Sequence, residues 1–310
     1  MLQIPPAGWP LERFCHSVYI PSRLSLSPRA AEEVLRIARQ WDEFCGLPVG
    51  ELSDQSVIAF LRARLALGDR PATINAKRSK ILALWRCAWR KHIVTDLPRD
   101  VPRMREPHDP PKARSTEEIE AILGRCQSLQ GTTAGIPRSS YWAALFAAAA
   151  ATGERPGALI RTLTEDVDLA EARMRILAAV EKTSSGRLYS LTDWAVAAIA
   201  KIYDPRRLLI WPWPHCRRHL WTSARRIMES AGIRPNPKTK DLFYSLRRWH
   251  LSHLAAQSIE LARSQAGHSS TALTLRHYID PTIAENRRAV EALPRLTLSV
   301  VKAHRQLRLF

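Results

Sequence analysis

The sequence predicts a mainly α-helical protein of two domains, the second of which carries a small β-sheet. Three observations support this prediction. A chain of 310 residues is long enough for two domains, since about 150 residues make a typical one. Apolar residues recur at helical spacing on both sides of a proline-rich stretch near residue 100. Two short segments alone, 174–180 and 188–191, have the pattern of strands.

The first domain is predicted over residues 25–98, after a leader of residues 1–24. Ser27 and Pro28 are typical of a helix start, and an apolar stripe follows them as far as Phe44. Further helices are predicted at about 54–67 and 72–92, where the same periodicity returns. These segments indicate a small helical bundle.

The second domain is predicted over residues 115–295, followed by a tail of residues 296–310. The stretch 97–114 holds five prolines without apolar periodicity, which predicts a linker over residues 99–114. Ser115 and Glu118 have capping-box spacing, which indicates that a helix begins there. An alanine-rich helix is predicted at about 140–152, ending at Gly153.

The charge of the chain predicts a polyanionic partner. Lys and Arg number 47 against 29 Asp and Glu, which gives a formal net charge of +18. Nucleic acid is the favoured partner, and a solubilising surface or an anionic membrane surface are the alternatives. Half of the excess lies in residues 62–105, with 12 Lys or Arg against three Asp. The candidate DNA contacts are Lys77, Arg78, Lys80, Arg86, Arg90, Lys91, Arg217 and Arg218.

Several other classes of protein are disfavoured. The sequence has neither an apolar run of the roughly 18 residues that span a membrane nor a signal-peptide pattern, which predicts a cytoplasmic protein. Its five cysteines are scattered, so a disulfide framework is not expected. His215, Cys216 and His219 lie close together, but a zinc site needs a second ligand pair that the sequence does not offer.

Four places carry polar residues that packing does not require. Arg155 follows Gly153, and Lys182 lies between the two strand candidates. Arg247 lies in a segment of helical pattern, and His268 precedes Tyr278 by ten positions.

The order and spacing of these residues resemble the tyrosine recombinase (phage integrase) family. The resemblance covers about residues 25–295, and its N-terminal part looks like the family's helical core-binding (SAM-like) domain. It implies an α+β catalytic domain in the second half of the chain. The matching positions are Thr152-Gly153-x-Arg155, Lys182, Arg187-x-x-x-Leu191, Tyr244-x-x-Arg247, Gly267-His268 and Tyr278.

The resemblance implies DNA cleavage by transesterification, with no cofactor, metal or nucleotide. Tyr278 would attack the phosphodiester and form a 3′-phosphotyrosyl link. Arg155 and Arg247 would hold the nonbridging oxygens. Lys182 would protonate the departing 5′ oxygen, and His268 would donate a hydrogen bond to the phosphate.

Two departures from the family pattern keep alternatives open. Tyr244 stands where the family usually has histidine, and a phenol is a poor base but a usable hydrogen-bond donor. Ala158 stands where a supporting acidic residue is common. A catalytically silent DNA-binding relative and a type IB topoisomerase-like enzyme are therefore alternatives to a recombinase.

The resemblance also implies how the protein assembles. The two domains would close as a clamp around double-stranded DNA, and a homotetramer would form on paired sites. The C-terminal stretch of about 282–310 would dock on a neighbouring subunit. The leader is shorter than the arm-binding domain of some phage integrases, which favours a two-domain recombinase.

Overall fold

The computed structural model describes residues 7–107, 109–178, 186–234 and 241–284. The chain divides into two compact units, residues 1–108 and 109–310. Most of the described chain is helical, with two small antiparallel sheets. Among the described residues, no helix has both the length and the apolar character that crossing a membrane requires. Lys182 and the predicted tail of residues 296–310 lie outside the described residues.

The first unit is a helical bundle around a tryptophan-rich core. Trp41, Phe60 and Trp85 are almost fully buried in it. Ser27 caps the long helix as its sequence predicts, because its hydroxyl accepts a hydrogen bond from the backbone N–H of Ala30 at 3.3 Å. The helices are α1 (Leu11–Phe14), followed by a π-helical turn (Cys15–Tyr19), α2 (Pro28–Cys45), α3 (Asp54–Ala66) and α4 (Pro71–Arg90).

Both ends of the first unit extend beyond residues 25–98. Leu11 and Phe14 are fully buried, and the backbone N–H groups of Leu11 and Glu12 each donate to the Asp42 carboxylate at 2.8 Å. Val101, in the predicted linker, is also buried, and Arg78 donates to its carbonyl oxygen at 2.8 Å. The predicted leader and the start of the predicted linker therefore belong to the packed unit. These segments are too short to show a periodic pattern.

The second unit places helices around a central apolar helix and a three-stranded sheet. Its strands lie in the order Val167–Asp168, Arg173–Ile176 and Arg187–Ser190, all antiparallel, with Arg173 opposite Ser190. The elements are α5 (Thr116–Cys126), β1 (Thr132–Thr133), β2 (Ile136–Pro137), α6 (Arg138–Thr152), α7 (Pro156–Leu159), β3 (Val167–Asp168), β4 (Arg173–Ile176), β5 (Arg187–Ser190), α8 (Asp193–Ala200), α9 (Arg217–Ser230), α10 (Asp241–Gln257), α11 (Ile259–Ala266), α12 (Thr271–Tyr278) and α13 (Pro281–Ala284).

Helix α6 forms the centre of the second unit. Its alanines at 147–150 are buried on every side, and their small side chains let α8 and α10 pack closely against it. A smaller cluster, which includes Leu251, Ala262, Ala266 and Ile279, joins α10 and α11 to the chain that follows α12. This packing brings the end of α6, the middle of α10 and the end of α12 together.

Candidate active site

Arg155 lies immediately after the turn that ends α6. Gly153 adopts φ +63°, and a Cβ at this position would lie 2.7 Å from Cδ2 of His250. Glycine is therefore required both by the backbone conformation and by the space available. Arg155 itself is the N-cap residue of α7 and is half-buried. The turn thus fixes the position and direction of the backbone at Arg155, the first of the two predicted catalytic arginines.

Arg247 is a buried cation that bridges two turns. Its side chain is 1% exposed. Nη1 donates to the carbonyl of Gly153 at 2.7 Å and Nη2 to that of Ala266 at 2.8 Å. Nε has no hydrogen-bond partner among the described residues. Burial lowers the pKa of Arg247, and the neighbouring charge of Arg155 lowers it further.

His268 follows a left-handed glycine, Gly267, and is almost buried. Its Nδ1 lies 2.9 Å from Oγ1 of Thr274, so Nε2 is the ring nitrogen left for another partner. Burial lowers the pKa of His268 to about 4, and the positive charges of Arg247 and Arg155 contribute. The ring is therefore neutral near pH 7.

Tyr278, the last residue of α12, lies beside both of these groups. Its ring centroid is 4.9 Å from that of His268, and Cζ of Arg247 lies 5.0 Å from it. The backbone around Tyr278 is fixed by Ser252, whose hydroxyl donates to the Tyr278 carbonyl at 3.3 Å and accepts from the Asp280 N–H at 2.8 Å. The structure thus brings Arg247, His268 and Tyr278 together.

The other sequence candidates have different surroundings. Tyr244 is half-buried and stacks on Trp221, with ring centroids 6.2 Å apart and planes 12° apart. Ala158 is buried in α7. Among the described residues no group of three His, Cys, Asp or Glu side chains is arranged to hold a metal, and this includes the neighbourhood of His215, Cys216 and His219.

One residue of this region was not predicted from the sequence. Glu154, between Gly153 and Arg155, is fully buried and accepts a hydrogen bond from the Tyr189 hydroxyl at 2.6 Å. A glutamate at a helix end gives no local signal of burial, because the partner lies on a strand 35 positions away. Its place inside the Thr152-Gly153-x-Arg155 motif was the only feature of the sequence that pointed to a role in the site.

The predicted DNA contacts differ in their exposure to solvent. Arg86, Arg90, Lys91, Arg217 and Arg218 are exposed, whereas Lys80 and Arg78 are half-buried. Lys77 differs from the prediction, since its side chain is 2% exposed and forms an ion pair with Asp69 at 3.3 Å. It also donates to Gln40. Lys77 faces the core of the first unit because α4 presents it toward α2.

Solved structures with this fold include several DNA-bound proteins. A Tn1549 transposon integrase in complex with a circular intermediate DNA is 14% identical, with a TM-score of 0.69 over 92% of this chain and 100% of that one. A lambda integrase dimer bound to a COC′ core site is 14% identical, with a TM-score of 0.65 over 94% and 98%. The XerH site-specific recombinase bound to palindromic difH substrate is 15% identical, with a TM-score of 0.67 over 91% and 83%.

These likenesses define the class of the protein: its fold is that of the tyrosine recombinases. The model of the phage integrase family matches residues 115–285, more than half of the chain. The chain therefore belongs to the phage integrase family. No curated protein sequence matches it.

Proposed function

We propose that this protein is a site-specific DNA recombinase that cleaves and rejoins DNA through a 3′-phosphotyrosyl intermediate on Tyr278. The observation that carries the proposal is the meeting of Tyr278 with a neutral histidine and a buried arginine that has no carboxylate partner among the described residues. Such a site supplies a nucleophile and a fixed positive charge for one phosphate group.

The two arginines bind the scissile phosphate. Arg247 is held rigidly by the carbonyls of Gly153 and Ala266, so little reorganisation is needed when negative charge develops on the nonbridging oxygens. Arg155 adds a second guanidinium, and its influence on the pKa values of Arg247 and His268 supports its closeness to both.

His268 and Lys182 act on the oxygens of the phosphate. When the hydroxyl of Thr274 donates to Nδ1 of His268 rather than to the carbonyl of Ser270, Nε2 carries the ring proton and donates a hydrogen bond to a nonbridging oxygen. Lys182 serves as the general acid for the leaving 5′ oxygen. Tyr244 donates a hydrogen bond in place of the usual histidine, and water accepts the proton of Tyr278.

Double-stranded DNA is the proposed substrate and partner. The relatives of known structure are bound to DNA. Helix α9 begins with the exposed residues Arg217 and Arg218, and the guanidinium of Arg217 lies close to Gly157 in α7. We propose that the two domains form a clamp on the duplex and that four copies assemble on paired sites through the C-terminal segment.

A nicked suicide substrate tests this function. DNA that flanks the gene is nicked near candidate cleavage points. Cleavage then releases the short fragment that carries the free 5′ hydroxyl, this fragment diffuses away, and the covalent complex accumulates. The native protein is expected to become attached to DNA in a form that resists denaturant. Tyr278→Phe is expected to bind the same DNA without attachment, whereas the control Tyr203→Phe, at an exposed tyrosine, behaves as the native protein does.

The same assay separates the alternatives. Binding without attachment by the native protein would indicate a catalytically silent relative. Covalent trapping by Tyr278→Phe would remove Tyr278 from its assigned role. Relaxation of supercoiled plasmids that lack any target site would favour a type IB topoisomerase-like activity.

A further inference from the structure

We infer that Glu154 and Arg187 form a buried positioning pair that fixes Arg155 and His268 relative to each other. The pair thereby supplies the support that an acidic residue at the position of Ala158 commonly gives in the family. This inference rests on the proposed function. Three segments that are distant in sequence meet at the pair: the turn before α7, strand β5 and the turn after α11.

Glu154 holds the turn that carries Arg155. The side chain of Glu154 is fully buried. One carboxylate oxygen, Oε1, accepts from the backbone N–H of Arg155 at 2.6 Å. The other, Oε2, accepts from the hydroxyl of Tyr189 at 2.6 Å and from Nη1 of Arg187 at 3.4 Å. A buried carboxylate is stable only with such donors, so the position of Arg155 is coupled to β5.

Arg187 holds the turn that carries His268. Its side chain is 10% exposed, and Nη1 donates to the carbonyl of Gln265 at 3.3 Å. Its guanidinium also lies where a Cβ of residue 267 would be. Any larger residue in place of Gly267 would displace Arg187, so the glycine before His268 is explained by this contact as well as by its φ of +63°.

The pair thus acts on two proposed catalytic residues without touching the phosphate itself. Arg187 also contributes to the lowered pKa of His268. Ala158, three residues after Arg155, has no charged group that could support the site. Glu154, the residue just before Arg155, supplies a carboxylate instead.

A second ion pair, between Asp166 just before β3 and Arg175 on β4, gives a control. Asp166 has a carboxylate that is 1% exposed, and Nε of Arg175 lies 2.6 Å from its Oδ1. Arg175 lies on β4, beside β5, and this pair has no contact with the turns of Arg155 or His268 among the described residues. Asp166→Asn and Arg175→Met therefore remove an ion pair whose carboxylate is as buried as that of Glu154, although its guanidinium is 59% exposed where that of Arg187 is 10% exposed, and this pair has no positioning role.

The experiment compares cleavage, binding and stability for the two pairs. Cleavage of the nicked substrate is measured at saturating DNA, with the dissociation constant and the melting temperature in parallel. Glu154→Gln and Arg187→Met are each expected to slow cleavage by about 10–100-fold, the range for residues that orient a site from behind, with little change in the dissociation constant. The Glu154→Gln/Arg187→Met double variant is expected to be no slower than the slower single variant, because the two act as a unit.

The outcomes distinguish this inference from the proposed function. The control variants are expected to cleave within about threefold of the native rate even where their melting temperatures fall. If Glu154→Gln does not fold, Tyr189→Phe removes one hydrogen bond to Glu154 while both charges stay, and a slower cleavage rate with unchanged binding is expected. Native cleavage by Glu154→Gln or Tyr189→Phe, or equal slowing by the control pair, overturns the pairing alone. Absence of covalent complex with the native protein overturns the proposed function and the inference with it.

Discussion

Two buried cations, one in each unit, have opposite surroundings. Lys77 in the first unit is 2% exposed and has its own counterion, Asp69, at 3.3 Å. Arg247 in the second unit is 1% exposed, yet it bonds two backbone carbonyls and leaves Nε without a partner in the described part of the chain. Burial of a charge is costly unless it is paired. A buried cation with its own ion pair serves the fold. Arg247 feels the charge of Glu154 but makes no ion pair in the described part of the chain, so it is suited to an incoming anion.

The largest effect expected from this contrast is on cleavage. Arg247→Met removes a fixed donor from the developing charge, so we expect the cleavage rate at saturating DNA to fall by about 10²–10³-fold. Lys77→Met is the matched control, because it also removes a buried cation, and its rate should stay near that of the native protein. Single-turnover cleavage of the nicked substrate measures both. Equal slowing in the two variants would show that Arg247 serves the fold, as Lys77 does, rather than the cleavage step.

A second effect concerns the pH dependence of stability. Burial lowers the pKa of His268 and of His250 to about 4, whereas an unfolded histidine has a pKa near 6.5. Between these values the unfolded chain binds more protons than the folded one, so the free energy of unfolding falls as the pH decreases. Each group contributes up to about 1.4 kcal/mol per pH unit in this window.

Urea unfolding at pH 7 and pH 5.5 measures that effect above the range in which most carboxyl groups titrate. His268→Gln is expected to lose its share of the pH dependence, since no group at that position then takes up a proton on unfolding. The side chains facing His268 include Arg247, Arg155, Arg187 and His277, and the His268→Gln substitution leaves all four in place. A pH dependence equal to that of the native protein would contradict this role of burial.

The sequence predicted the parts of the site that follow a local pattern. Gly153 is predicted to end a helix and does so at the end of α6, and Arg155 follows this turn at a fixed offset, so its position follows from backbone chemistry. The helices of the first bundle and the β4–β5 pairing follow from periodicity in the same way. The position of His268 after Gly267 came from the resemblance to a family. The meeting of Arg247 with Tyr278 also came from that resemblance, since no periodicity relates the two.

Burial of polar residues could not be predicted because it depends on which partners the fold brings to them. Lys77 looks like any other basic residue of α4, and only the approach of Asp69 and α2 makes it structural. Glu154 looks like a charged residue in an exposed turn, yet Tyr189 and Arg187 on β5 enclose it. The early helix at Leu11–Phe14 is likewise set by its contact with Asp42.

The smallest expected effect tests the basic surface of the first unit. Arg86 is exposed on α4, so Arg86→Gln should weaken DNA binding a fewfold and reduce the slope of log affinity against log salt by about 0.9, the value for one phosphate contact. Lys77→Met should leave that slope unchanged, because its ammonium is already paired with Asp69. Titrations at several salt concentrations compare the two variants. A smaller slope for Lys77→Met would mean that the ion pair opens on DNA, and an unchanged slope for Arg86→Gln would move the contact to another face of α4.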